Sequence, residues 1–200
     1  MYGTDLPIAW VDYADHSYVL TRLTFFTGFL VEAPVSAHRT MELFLKAYLV
    51  SKGEKVAPKE AAWGHDLSEL QKHCVNHDSS FGNVDLGRRL SYFQRYFDLV
   101  RYPSSIEGKL ADGTAIWFSF DACVIPLDEV VAFIRPRIML QNNEWHRSWL
   151  STINSSSEPR WSYQKKALQD GNEHLVDIIC GTTWSSVVSF SSFTFDKAGC

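Results

Sequence analysis

Three histidines and a cysteine form the most metal-like group of residues in the sequence: His65, His73, Cys74 and His77. His73 and His77 are four positions apart, one turn along a helix, and zinc sites use this spacing. Cys74 would project about 100° away from His73 on the same helix. No H-E-x-x-H glutamate accompanies them. We therefore expect no metal here, and solvated or capping roles for these side chains.

Arginines and tyrosines alternate along a second predicted helix, where Arg95 and Arg101 are interleaved with Tyr96 and Tyr102. Arginine beside tyrosine suits phosphate clamping and base stacking. The helix predicted over 35–50 carries two further cationic side chains, Arg39 and Lys46, on one stripe. The candidate ligand-binding residues are Arg39, Lys46, Arg95, Arg101 and Tyr102. The alternative is that these are solvated helix faces with intrahelical ion pairs, such as Asp85 with Arg88.

The composition is that of an ordinary globular protein. The chain has 200 residues, 46% of them hydrophobic and 21% charged, which suits a single domain with a full core. A formal charge of -4 disfavours a strongly basic nucleic-acid binder. The four cysteines are at least 20 residues apart, which favours free thiols in a reducing compartment. Without an apolar run of about 18 residues or a basic signal-peptide start, we expect a cytoplasmic protein with no membrane partner.

Apolar residues at three- and four-residue spacing predict a mainly helical chain. Leu86, Leu90 and Phe93 belong to the clearest such stripe. Asp112-Gly113 between apolar runs predicts a β-hairpin insertion over 104–122. Helices are predicted over six ranges: 17–31, 35–50, 66–77, 84–100, 128–143 and 163–179. Asp128 is the predicted N-cap of the fifth helix, which Pro136 kinks or splits, and Gly171 and Asn172 interrupt the last.

Three short motifs occur in a characteristic order. E-L-x-L-K-A covers 42–47, G-H-D-L covers 64–67, and R-Y-P covers 101–103 at a predicted helix end. In this combination the chain resembles the HEPN family (higher eukaryotes and prokaryotes nucleotide-binding domain) over 17–145. The resemblance implies an all-α, antiparallel bundle of four or five helices, usually dimeric, with 146–200 as a C-terminal extension. It also implies that His65 packs and hydrogen-bonds at a helix start.

Members of this family are of two functional types. Some are RNases, and others are non-catalytic proteins that help a small nucleotidyltransferase or bind nucleotides. The RNases carry an arginine, four to six residues and then a histidine, which stabilise the phosphate charge and move a proton. No arginine in this chain is followed by a histidine at that spacing; Arg137 and His146, with eight residues between them, come nearest. We therefore expect no catalytic residues of this type and no cofactor, since a Gly-rich phosphate loop is also absent.

The leading hypothesis is a non-catalytic HEPN-like module that binds a nucleotide, RNA or a partner protein, such as a nucleotidyltransferase or a toxin. One alternative is an RNase of the same family with a non-standard Arg/His site. Another is an antitoxin or immunity-type interaction protein, for which the acidic balance would suit a basic partner. Several amphipathic helices with 14% aromatic residues are expected to leave one apolar face uncovered, and this predicts a homodimer.

Overall fold

The computed structural model describes residues 6–55, 64–101, 119–140 and 145–180. Every regular element in these ranges is helical, and none of their residues forms a strand. The α-helices are α1 (Pro7–Phe26), α2 (Glu32–Ser51), α3 (Leu67–Val75), α4 (Val84–Val100), α5 (Ile125–Ile134), α6 (Trp149–Ser155), α7 (Ser162–Gln169) and α8 (Leu175–Cys180). The prediction of an all-α chain is thus confirmed for the described residues.

The first two helices form a hairpin and pack along each other. α1 begins ten residues before the predicted start, because Pro7 occupies its first turn, where no N–H is needed. It ends at Phe26, not at 31, because Gly28 has a φ of +83° that lets the chain turn. The predicted helix over 17–31 is therefore wrong at both ends, whereas α2 agrees with its prediction to within a turn.

The α3 and α4 predictions are confirmed. Asp66 caps α3 by accepting hydrogen bonds from the backbone N–H groups of Ser68 and Glu69. Asn83 caps α4 in the same way. The predicted apolar stripe of α4 lies in the core, with Leu86, Leu90 and Phe93 buried.

The predicted helix over 128–143 is wrong in its limits. α5 starts at Ile125 and continues directly from a π-helical turn over Phe120–Val124, and a 3-10 turn over Arg135–Arg137 follows it where Pro136 interrupts the regular pattern. Asp128 does not cap it, because it is the fourth residue of the helix and its buried carboxylate bonds Arg22 and Tyr18. Residues 104–118 of the predicted hairpin lie outside the described residues, and its end over 120–122 is part of the π-helical turn.

Buried ion pairs join helices that are distant in sequence. Arg22 of α1 binds Asp128 of α5, whose second carboxylate oxygen accepts a 2.6 Å hydrogen bond from Tyr18. Arg135 binds Asp15 of α1 through two nitrogens, each 3.0 Å from a carboxylate oxygen. In a third pair, two guanidinium nitrogens of Arg89 on α4 lie 2.8 Å and 2.6 Å from one carboxylate oxygen of Glu129 on α5. These pairs fix how α4 and α5 sit against the first hairpin.

The segment 145–180 packs on the same core. Leu150, Ile153, Leu168 and Ile178 are buried. Arg22 also donates to the carbonyls of residues 167 and 170, so the α7 end is bonded directly to α1. None of the described helices is both long and apolar enough to cross a membrane.

Candidate functional site

A polar groove lies between the start of α3 and the middle of α4. It has a volume of about 300 Å³ and is open to solvent. Its lining residues are Asp66, Ser68, Ser91, Gln94, Arg95 and Asp98. We call it the α3–α4 groove. Two carboxylates and one guanidinium therefore face the same depression.

Gln94 holds this region together. Its side-chain oxygen accepts a 3.1 Å hydrogen bond from the Leu67 N–H at the start of α3 and lies 3.0 Å from Nε2 of His38 on α2. Its amide nitrogen donates to the Asp98 carboxylate at 3.2 Å. One side chain thus connects α2, α3 and α4, and it fixes the edge of the groove.

His38 is buried beside Gln94. Its ring stacks on Phe97, with the ring centres 3.9 Å apart. Burial lowers the pKa of His38 below its usual value, although the contact with Gln94 and the nearby Glu42 oppose this. The imidazole is therefore held in its neutral form more strongly than in water.

Glu42 connects α2 to the residue before the α3 cap. One carboxylate oxygen lies 3.0 Å from Nδ1 of His65, and the other accepts a hydrogen bond from Lys46. Burial alone would raise the pKa of Glu42, but the hydrogen bonds from Lys46 and His65 outweigh it and lower the pKa. The His65 side chain is 68% exposed, so its ring is oriented by a buried carboxylate and still reaches solvent.

The five predicted ligand-binding residues are in different environments. Lys46 is buried and paired with Glu42, while Arg39 is exposed on α2. Arg95 is exposed and lines the α3–α4 groove. Arg101 ends α4, with its guanidinium carbon 5.3 Å from the centre of the Phe97 ring. Tyr102 lies outside the described residues. Among the described residues that line the groove, Arg95 is the one member of the predicted set.

The metal-like residues do not converge. Cys74 is buried in the core, and burial raises the pKa of its thiol. His77 pairs with Glu54, and His65 pairs with Glu42. Within the described residues, no group of three or more His, Cys, Asp or Glu side chains could hold a metal ion.

Arg137, from the nearest arginine–histidine spacing, has contacts of its own. It donates to the Phe133 carbonyl at 2.6 Å and to the Ser80 hydroxyl at 3.3 Å, and lies 3.7 Å from Asp78. His146 is exposed. Arg137 thus holds the end of α5 against the turn that precedes α4.

A second surface lies at the α1–α2 turn. Five apolar side chains with exposed fractions between 38% and 65% are close together in sequence there: Leu20, Phe26, Phe29, Leu30 and Val31. We call this surface the apolar tip. Residues 23–31 carry no charged side chain. Exposed large apolar side chains that occur close together are typical of a protein interface.

Sequence reasoning missed His38 and Gln94 as the residues that organise the groove, because one is on α2 and the other 56 positions later on α4. It did single out Glu42, Lys46 and His65, and the Glu-x-x-x-Lys spacing was a usable signal for their pairing. A comparison of the chain with models of known protein families, with curated proteins and with solved structures finds no match.

Proposed function

We propose that the protein is a non-catalytic, HEPN-like helical binding module that acts as a homodimer and binds a partner protein. The apolar tip carries this proposal. Phe29 and Val31 are 65% and 53% exposed, and a protein surface rarely leaves neighbouring large apolar side chains in water without a binding role.

Several groups that could do chemistry are already engaged by other residues, which supports binding over catalysis. Lys46 is neutralised by Glu42, and Arg137 is bound to a backbone carbonyl and a hydroxyl. Burial raises the pKa of Cys123 to about 12, so its thiol is a poor nucleophile at neutral pH.

The α3–α4 groove favours a partner protein over a nucleotide or RNA. Asp66 and Asp98 line the groove together with Arg95, so its ionisable side chains carry one net negative charge, which opposes a phosphate. The same groove suits a lysine or arginine side chain of a partner. This fits an interaction protein with a formal charge of -4, whether its partner is a nucleotidyltransferase or a toxin.

Light scattering of the purified full chain at micromolar concentration tests the proposal. We expect the wild type to have twice the mass of one chain. Val84→Ser is the control, because Val84 at the start of α4 is about as exposed as Phe29, and we expect this variant to keep the wild-type mass. We expect Phe29→Ser to shift the population towards the single chain. A wild type that runs as a single chain would contradict the proposal.

The second candidate function is the RNase, and one observation favours it. His65 is exposed, its Nδ1 is held by the buried Glu42 carboxylate, and it directly precedes Asp66 at the groove that contains Arg95. A histidine held this way can accept a proton through its other nitrogen, and a nearby arginine can stabilise phosphate charge. Incubation with mixed RNA substrates decides between the two: cleavage that disappears in His65→Ala and Arg95→Ala, with folding intact, would support the RNase.

A further inference from the structure

A stripe of mostly apolar side chains runs along the solvent side of α1. Its residues follow the a and d positions of a heptad repeat, which lie on one narrow side of a helix. The a positions are Leu6, Tyr13 and Leu20, and the d positions are Ala9, His16 and Leu23. We call these six residues the α1 seam. Its a positions are between 38% and 66% exposed, and His16 is exposed although its ring stacks on Trp149.

The α1 seam lacks the charges of a solvated helix face. The Asp, Glu, Lys and Arg residues of α1 are confined to three positions, and none of them is exposed: Asp12, Asp15 and Arg22. α4 provides the internal comparison, since its exposed residues include Arg88, Arg95 and Asp98. A helix that is apolar on all sides is normally buried on all sides, and interface cores are depleted of charge. The α1 seam therefore has the composition of a covered surface.

The spacing of the α1 seam favours a helix as the covering element. Side chains at the a and d positions of one helix pack between those of a second helix. An extended peptide repeats every two residues and cannot follow this spacing. Helices that lie on a lipid surface carry lysine or arginine on their polar side, and the exposed residues of α1 include neither.

We infer that the α1 seam pairs with the α1 seam of a second copy of this chain, with the two helices antiparallel. In an antiparallel pair each a position faces a d position of the other helix. The resulting layers are Leu6 with Leu23, Leu20 with Ala9, and Tyr13 with His16. Each layer matches leucine with leucine, a large side chain with a small one, or ring with ring. A parallel pair would instead place Ala9 on Ala9 and leave a gap there.

Two observations favour a second copy over another protein. A different partner would have to expose an uncharged heptad stripe of its own, whereas every molecule of this chain already presents one. The α1 seam is also continuous with the apolar tip, which shares Leu20 and resumes at Phe26. In the antiparallel pair the end of α1 lies beside the start of α1 of the second copy, so the tip packs near the exposed Leu6 there. A two-fold axis closes this assembly at two chains.

Crosslinking between two cysteine variants tests this register and rests on the homodimer proposed above. Leu6→Cys and Leu23→Cys are made separately in a Cys180→Ser/Cys200→Ser background, mixed, and treated with a short bismaleimide. We expect a crosslinked pair that contains one chain of each variant. Either variant alone should give much less product, because identical positions lie about 25 Å apart along the helices in this register.

The matched control for crosslinking is Val84→Cys, whose position on α4 is 67% exposed. Mixed with Leu23→Cys, it should give no comparable product. A second measurement uses Leu20→Glu, which places a carboxylate in the layer with Ala9. We expect it to raise the dissociation constant of the dimer at least about tenfold with an unchanged circular dichroism spectrum, because a carboxylate that leaves water without a partner is unfavourable. Val84→Glu should keep the wild-type dissociation constant.

The outcomes separate this inference from the proposed function. If the wild type is a single chain, both fail. A dimer that forms no crosslink between positions 6 and 23, or that keeps its affinity in Leu20→Glu, would overturn the inference and leave the homodimer standing. Efficient crosslinking of Leu6→Cys with itself would show a parallel pair and would also overturn it.

Discussion

Arg135 and Asp15 face each other in the core across 120 positions of sequence, and neither side chain reaches solvent. Both carboxylate oxygens lie 3.0 Å from a guanidinium nitrogen. The same arginine donates to the Ser148 hydroxyl at 2.8 Å, and Asp15 accepts from the Leu150 N–H at 3.3 Å. The pair therefore joins α1, the end of α5 and the start of α6.

Removing one partner of this pair should destabilise the protein strongly. We expect Asp15→Asn to lower the free energy of unfolding by about 3 kcal/mol, because Arg135 stays buried without a counter-charge. Asp85→Asn is the matched control, since its pair with Arg88 is exposed and should contribute at most about 0.5 kcal/mol. Urea denaturation followed by circular dichroism measures both. Equal effects would show that the buried pair adds nothing beyond a surface pair.

Local features of the sequence predicted α2, α3 and α4 well, but contacts between distant residues could not be predicted. The limits of α4 follow from an apolar stripe and a proline near its end, both visible within one window of sequence. Asp66 was identifiable as an N-cap for the same reason. Asp128, in contrast, has the sequence signature of an N-cap, but its carboxylate forms a buried ion pair with Arg22, 106 positions away. No periodicity or propensity encodes such a partner.

The same limit applies to the candidate site. Glu42 and Lys46 are one helical turn apart, so their pairing could be anticipated. The contact of His38 with Gln94 depends on how α2 and α4 pack, and this is decided by the whole core. The sequence predicted an uncovered apolar face but not its position, because the exposure of a side chain depends on how the helices pack.

The buried imidazole of His38 should make stability depend on pH. Its pKa is lower in the folded protein than its usual value of 6.5, so the unfolded chain takes up a proton first as the pH falls. The stabilisation is fully present above about pH 6.5 and is lost as the pH falls below it. We expect His38→Gln to lose less unfolding free energy than the wild type between pH 7.5 and 5.5. His146→Gln, which removes an exposed histidine, is the control for the loss of an imidazole.

The two thiols in the described core should react slowly. Burial raises the pKa of both Cys74 and Cys123, so the thiolate fraction is small at pH 8, and both residues are buried. In a Cys180→Ser/Cys200→Ser variant we expect Ellman's reagent to modify these two thiols much more slowly in the folded protein than in guanidinium chloride. Rapid modification of the folded variant would show that the core opens at one of these sites.

Gly171 should tolerate alanine less well than Gly53. Both have positive φ angles, +64° and +87°, which cost an L-residue roughly 1 kcal/mol. A Cβ at Gly53 would meet nothing within 4 Å, whereas a Cβ at Gly171 would lie 2.7 Å from the Phe120 ring. That ring packs against Phe25 and Phe26, so moving it disturbs further contacts. We expect Gly53→Ala to lower the unfolding free energy by about 1 kcal/mol and Gly171→Ala by about 2–3 kcal/mol. Thermal unfolding of the two variants measures the difference, and equal losses would mean that the Phe120 ring moves away without cost.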